Sequence, residues 1–306
     1  MKKVIVTGGT GFIGSWLIQE LLRENVEVTA VVRNRSRMLP KIVKDAKLKM
    51  VEKEIGNLIP EDFSSDEYDA FFHLGWSGVS SEQKNEIETQ LNNIRLAFDA
   101  LEICSKLNCR VFIAAGTVAE YVFCKDLMDV NARQTPNDIY GAAKVSTYYF
   151  LEVRSRQLKQ PFIWMIIPST YGERRNDSNI ITYTIRSLLN GERPQYGNLE
   201  QMWDFLYVGE VVRAIRLLGE HGIPGKVYGI GSGDYHQLKE YIYCIRDIIN
   251  PDLEIGIGEL PEKSKMTYGS CVNISELRKD TGFVPIVTFK EGIERTIIYQ
   301  RTLLNV

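Results

Sequence analysis

The first half of the chain alternates short apolar runs with amphipathic stretches. The runs Lys3–Thr7, Glu27–Val32, Leu48–Glu52, 70–74, 111–115 and Phe162–Ile167 are nearly continuous in apolar residues, as strands buried on both faces should be. Between them a period near 3.6 residues predicts helices, clearest over Phe12–Arg23, 83–105 and 142–156. This alternation predicts an α/β chain with a doubly wound parallel sheet. Beyond Pro168 the rhythm breaks. Gly and Pro become more frequent, strands shorten (227–230 and 254–257), and helices over Ile180–Leu189, Leu238–Ile249 and Ser275–Thr281 follow in irregular order. A smaller C-terminal α/β lobe is expected to close over the carboxyl edge of the sheet. Residues 204–208 and the helix through 211–218 are expected to return to the sheet. The sheet domain is therefore read as 1–167 plus about 203–222, and the lobe as 168–202 plus 223–306.

Composition narrows the classes. The chain has 306 residues, 44% hydrophobic and 25% charged, with a net charge of −2. No basic excess points to nucleic acid. No apolar run reaches the length of about 18 residues that a membrane span needs. The apolar run after Met1-Lys2-Lys3 stops at Thr7-Gly8-Gly9, too soon for an export signal, and a cytoplasmic protein is expected. The five cysteines are scattered, with no Cys-x-x-Cys pair, and read as reduced. Three separated histidines make no metal cage.

Chemistry enters at the first turn. Gly8-Gly9-Thr10-Gly11-Phe12-Ile13-Gly14 follows the first strand and opens the first helix. Gly8, Gly11 and Gly14 permit a tight turn, close backbone approach to a pyrophosphate and close helix–sheet packing, with the helix N-terminus facing the phosphates. At the end of the second strand, where a carboxylate would bind the adenosine ribose of NAD, stands Arg33-Asn34-Arg35-Ser36-Arg37. A guanidinium there suits a 2′-phosphate, so NADP(H) is the preferred cofactor, with NAD as the alternative. Three Tyr-x-x-x-Lys pairs occur among the 15 tyrosines: Tyr121/Lys125, Tyr140/Lys144 and Tyr235/Lys239. About one such match is expected by chance, so context must separate them. The middle pair opens a helix, encloses the small residues Gly141, Ala142 and Ala143, and follows a strand that ends in the hydroxyl of Thr117. A phenol, an ammonium one turn away and a nearby hydroxyl form a proton-transfer set for making or unmaking a ketone.

The glycine spacing, Thr117 and Tyr140/Lys144 together resemble the extended short-chain dehydrogenase/reductase family, in its NAD(P)-dependent nucleotide-sugar epimerase/dehydratase branch. His73-Leu74-Gly75-Trp76 is similar to that family's fourth-strand end, and Asn92-Asn93-Ile94 to a motif of its fourth helix. Tyr171-Gly172 and Trp203-Asp204-Phe205-Leu206-Tyr207-Val208 match later segments, so the resemblance covers essentially the whole chain. It implies a Rossmann-type sheet, an oxidoreductase or isomerase acting on a nucleotide sugar, and a homodimer built through the helices near 83–105 and 142–156. Tyr140 would be the acid/base. Lys144 would hold the nicotinamide ribose and draw the Tyr140 pKa down, and Thr117 would bind the reacting oxygen. Gly8, Gly11, Phe12, Ile13, Gly14, Arg33, Glu54, Ile55, Leu74, Gly75, Asn93 and Pro168 join Tyr140 and Lys144 around the cofactor. Trp76, Ser77, Glu120, Ser169, Asn179 and Trp203 are the candidate substrate wall.

Departures from the family pattern bear on the reaction. The 4,6-dehydratases place Asp-Glu directly after the catalytic Thr, whereas Thr117 is followed by Val118-Ala119. Trp203 stands where many members carry an arginine for the diphosphate, and Lys263 and Lys265 are the nearest substitutes for a second one. The leading expectation is NADPH-dependent reduction of a nucleotide-linked 4-keto-6-deoxyhexose. The alternative is an NAD-dependent 4-epimerase, and the remote one is a non-catalytic dinucleotide sensor.

Overall fold

A computed structural model of the chain describes residues 1–38, 43–64, 67–122, 127–175, 179–261 and 271–304. Seven parallel strands form the main sheet: β1 (Lys3–Thr7), β2 (Glu27–Val32), β3 (Leu48–Glu52), β4 (Ala70–His73), β5 (Phe112–Thr117), β6 (Phe162–Ile167) and β10 (Val227–Gly229). Their spatial order is β10-β6-β5-β4-β1-β2-β3. The order reverses between β1 and β4, which opens a crevice at their carboxyl ends. Short pairs β7 (Ser169–Tyr171) with β9 (Phe205–Tyr207), and β8 (Met202–Trp203) with β11 (His236–Gln237), lie outside the main sheet.

Helices cover both faces because the strands bury both faces. On one side α1 (Phe12–Arg23) packs with α5 (Val208–His221). Leu17, Ile18 and Leu21 meet Val211, Ile215 and Leu218 over Val4, Val6 and Ile113. On the other side α2 (Ile87–Lys106) and α3 (Ile139–Leu158) cover Ile5, Phe71, Phe112, Phe162 and Trp164. Each of these large side chains contributes about 1.5–3 kcal/mol through burial. A third core, with Tyr171, Phe205, Tyr241 and Ile293, joins α4 (Ile180–Leu189), α6 (Leu238–Ile249) and α8 (Phe289–Leu304) into the lobe. Helix α7 (Ser275–Thr281) sends Leu277 into the α1/α5 core.

Sequence expectations change at several points. Residues 254–257 form no strand but a single bridge, Gln195 to Gly256. Gly256 and Gly258, the latter at φ +82°, turn the chain before a ladder can extend. β10, grouped by sequence with the lobe, pairs with β6 and completes the main sheet. Helix α3 starts at Ile139 rather than 142 because Asp138 caps it, its Oδ1 accepting from the Gly141 amide at 2.7 Å. Among the described residues, no helix is long and apolar enough to cross a membrane.

The β1–α1 turn is held by backbone contacts that leave no room for side chains. Gly8 has φ +73°, and a Cβ there would sit 2.7 Å from the Leu74 carbonyl. A Cβ on Gly14 would collide with the Gly8 carbonyl. Gly→Ala inside a helix ordinarily gains about 1 kcal/mol. At Gly14 overpacking against backbone should outweigh that gain, giving a net loss of about 1–3 kcal/mol. Urea denaturation of Gly14→Ala is the measurement, and a midpoint equal to or above the native one would contradict the close approach.

Candidate active site

The cradle at the sheet switch point is built from backbone. The Gly11 amide donates to the Gly8 carbonyl at 2.9 Å, and Gly11 is the N-cap of α1 with no side-chain cap of its own. The amides of the first helical turn therefore face the crevice, as anion binding requires. The walls are Gly8 and Gly11 on one side, Arg33 at the tip of β2, Glu54 and Ile55 after β3, and Leu74–Ser77 after β4. The positions where a Cβ would clash are those at which a pyrophosphate needs bare backbone. These residues fit a dinucleotide. Arg33 and Glu54 are exposed at the rim, while Phe12 and Ile13 are partly buried at the start of α1.

The segment after β4 is fixed from below by α2. Asn93, 2% exposed, accepts from the Ser77 amide at 3.0 Å and donates to the Ser77 carbonyl at 2.8 Å. Its amide is engaged by the loop, so Asn93 is a brace rather than a cofactor donor. Gln90, 1% exposed, accepts from the Trp76 indole at 2.9 Å and donates to the Gly78 carbonyl at 2.8 Å. The sequence reading passed over Gln90. Its one signal was helical spacing to Asn93, three positions on.

Trp76 meets the reaction centre. The Lys144 ammonium lies 3.6 Å from the centroid of its ring, and that ring packs T-shaped against the Tyr140 ring with centroids 6.2 Å apart. Lys144 Nζ also donates to the Ala115 carbonyl at 2.7 Å. Thr117 ends β5 with its hydroxyl against the Tyr140 phenol. The three predicted groups are thus brought together. Their electrostatics differ from expectation. Burial pushes the Tyr140 phenol up to about 12, opposed by Thr117 and assisted by Glu120 and Asp138. The Lys144 cation does not draw the phenol down, because it is turned onto Trp76 and the Ala115 carbonyl. Burial holds the Lys144 ammonium below its ordinary value, with Glu120 opposing. His73, buried beneath them, is held down to about 3 by burial and by Lys144, so its ring is neutral. Its Nδ1 shares a 3.0 Å hydrogen bond with Thr7.

The other two Tyr-Lys matches fall away. Tyr121 donates to the Val130 carbonyl at 2.8 Å and Tyr235 to the Val272 carbonyl at 2.8 Å, so both hydroxyls serve the fold. Lys125 lies outside the described residues, as do Lys263 and Lys265.

Two substrate-wall candidates have structural roles of their own. Glu120 is 0% exposed and turned into the sheet, so it lines no substrate wall. Asn179 caps α4, its Oδ1 accepting from the amides of Ile181 and Thr182 at 3.0 and 3.2 Å. Trp203 sits in β8 with its ring 6.1 Å from that of Phe205, and its indole Nε1 is buried without a partner. Ser169 opens β7 opposite Phe205, and Pro168 is buried just before it.

Comparison with known proteins agrees with this architecture. Residues 4–231 match the family described as NAD dependent epimerase/dehydratase. The chain is 24% identical to an uncharacterised UDP-glucose epimerase of Bacillus subtilis over 98% of each chain. It is 25% identical to a dTDP-glucose 4,6-dehydratase of Escherichia coli, over 96% of this chain and 92% of that one. Among solved structures, UDP-N-acetylglucosamine 4-epimerase from Methanobrevibacter ruminantium has the same fold, with a TM-score of 0.88, 23% identity and 99% of each chain covered. A UDP-glucuronic acid 4-epimerase from Bacillus cereus, with NAD bound, also superposes at a TM-score of 0.88, with 20% identity over 98% of this chain and 99% of that one. Glycine cradle, reaction centre and family match converge: the chain is an enzyme of the NAD-dependent epimerase/dehydratase family, whose members act on nucleotide sugars.

Proposed function

We propose that the enzyme reduces a nucleotide-linked keto-sugar with NADPH, with the 4-keto-6-deoxyhexose class the first to test. The carrying observation is Arg33. It rims the dinucleotide cleft at the end of β2, exposed. No carboxylate stands between Val31 and Arg37 to take a ribose diol. Bound in the cleft, a nicotinamide dinucleotide supplies the hydride. The chain's own groups handle the proton. Tyr140, held as a neutral phenol, is the donor to the new alkoxide oxygen, and Thr117 orients that oxygen by hydrogen bonding. Lys144 lies within reach of both the ring of Tyr140 and the cleft wall at Trp76. Dehydration is disfavoured because the turn after Thr117 offers Val118 and Ala119, and its one carboxylate, Glu120, points inward.

A second reading, an NAD-dependent 4-epimerase, is favoured by the comparisons, since the similar proteins include UDP-sugar 4-epimerases. The same Tyr-Lys-Thr set serves either reaction. What separates them is whether the dinucleotide leaves with a changed redox state. A homodimer also fits: α2 exposes Ile87 and Leu91, and α3 exposes Tyr149, Phe150 and Val153. Such apolar surface on adjacent helices suits association with a second copy.

Three outcomes are expected. Tyr140→Phe should lower turnover by about 10²–10⁴ while changing dinucleotide affinity only a few-fold; a dead Tyr121→Phe with a working Tyr140→Phe would move the site elsewhere. NADP(H) should bind more tightly than NAD(H), and Arg33→Ala should remove about 1.5–3 kcal/mol of that preference, roughly ten- to a hundredfold. Calorimetric titration of both dinucleotides decides this, and equal native affinities would leave the reductase without its main support. Across a panel of nucleotide-linked keto-sugars, absorbance of the reduced nicotinamide should fall in proportion to product. Interconversion of two sugars without net absorbance change would establish the epimerase instead.

A further inference from the structure

Glu120 is a fully buried carboxylate beside the reaction centre that the proposed chemistry does not use. Its place follows from the sheet. Pairing of β4 with β5 ends at His73 opposite Ala114. Backbone groups alternate sides along a strand, and Val111 faces β4, accepting from the Phe71 amide. The odd-numbered residues Ala115 and Thr117 therefore face the same side, beyond the last residue of β4. Buried backbone groups need partners, and two side chains of opposite charge take these positions. Lys144 donates to the Ala115 carbonyl at 2.7 Å, and Glu120 Oε1 accepts from the Thr117 amide at 2.8 Å. The second oxygen, Oε2, accepts from the Trp164 indole at 3.3 Å. Gly116 between them has no side chain to spare: a Cβ there would collide with both the carboxylate and the indole.

We propose that Glu120 is a positioning residue of the reaction centre, fixing Thr117 through its amide and holding the Lys144 ammonium by its charge across successive backbone sites of β5. The inference rests on Thr117, Tyr140 and Lys144 being the reacting set. The ionisable groups that feel the carboxylate are Tyr140, Lys144 and Tyr148 on α3 and Tyr121 on the adjoining turn, while Asp138 at the cap acts on Tyr140 and neutral His73 on β4 feels Lys144. Burial raises Glu120, with the Thr117 amide and then Lys144 opposing. Glu120 in turn raises both Lys144 and Tyr140.

Glu120→Gln keeps an acceptor for the Thr117 amide and removes the charge. With that charge gone, Lys144 should lose its proton at lower pH, by about one unit for a buried neighbour. The measurement needs neither substrate nor cofactor. Protein labelled with [6-13C]lysine is titrated by NMR, the Lys144 signal being assigned by its loss in Lys144→Arg. Trp164→Phe, which removes one donor from the carboxylate and keeps a ring, should lower the Lys144 titration by a smaller amount. It carries the test if Glu120→Gln does not fold. A Lys144 titration unmoved in the folded variants would overturn the inference, even if their melting temperatures fell, because loss of packing alone does not shift it. Tyr140→Phe tests the underlying reading separately. If that variant retained turnover, the reacting set would be wrong whatever Lys144 does.

Discussion

The site depends on one steric constraint, the contact of the β1–α1 turn with the end of β4. Gly8 lies so close to Leu74 and Gly75 that no Cβ fits between them, and the Gly75 amide is held on the Thr7 hydroxyl at 3.2 Å. From that contact the geometry passes outward through a chain of satisfied bonds. The segment after Gly75 carries Trp76 and Ser77, which Gln90 and Asn93 fasten to α2. Trp76 then meets Lys144 and Tyr140 on α3. The glycine turn and the Tyr140 phenol, the proposed phosphate cradle and proton donor, are thus coupled through bonded side chains, not merely placed on a common sheet. Preorganisation of this kind lets binding geometry serve the chemical step.

The second organising force is burial of charge. Lys144 is 4% exposed and Glu120 is 0% exposed, and an isolated charge at such a site is strongly disfavoured. When both are ionised, opposite signs on adjacent sites of β5 reduce that cost, and each group is bonded to backbone besides. The arrangement also explains why the phenol stays neutral here. Burial raises Tyr140 most, the Glu120 carboxylate behind it adds to this, and the Lys144 ammonium rests on Trp76.

Much of this was legible in the sequence because it rests on period and backbone. The strands Lys3–Thr7, Glu27–Val32, Leu48–Glu52 and Phe162–Ile167, and helices α1, α4, α6 and α7, have the expected bounds. The glycine turn and the choice of Tyr140 over Tyr121 and Tyr235 were legible for a related reason, since helix onset and small neighbours are local. Side-chain direction was not. Glu120 follows Thr117 at capping-box spacing, and both reciprocal bonds are present. That spacing signals a carboxylate folded back on the chain, yet a candidate for a solvent-facing wall carries the same letter. Asn179 carries the same ambiguity, since an asparagine before an apolar helix also reads as a cap, and here its Oδ1 caps α4.

Strand length decides what the sheet leaves available for chemistry. β4 stops at His73 while β5 runs on to Thr117 beside β6, and those extra residues of β5 carry backbone groups with no strand on their β4 side. A longer β4 would pair with them and leave no site for Lys144 or Glu120. Instead the chain leaves the sheet at Leu74, and Gly75 follows, where a Cβ would press on Ile55 at 2.9 Å. The early exit therefore does two things at once. It brings bare backbone to the cofactor cleft, and it exposes the β5 positions from which both buried charges are held. The crevice of a doubly wound sheet is usually described by where strand order reverses. Here the unequal lengths of β4 and β5 determine which side chains can reach it.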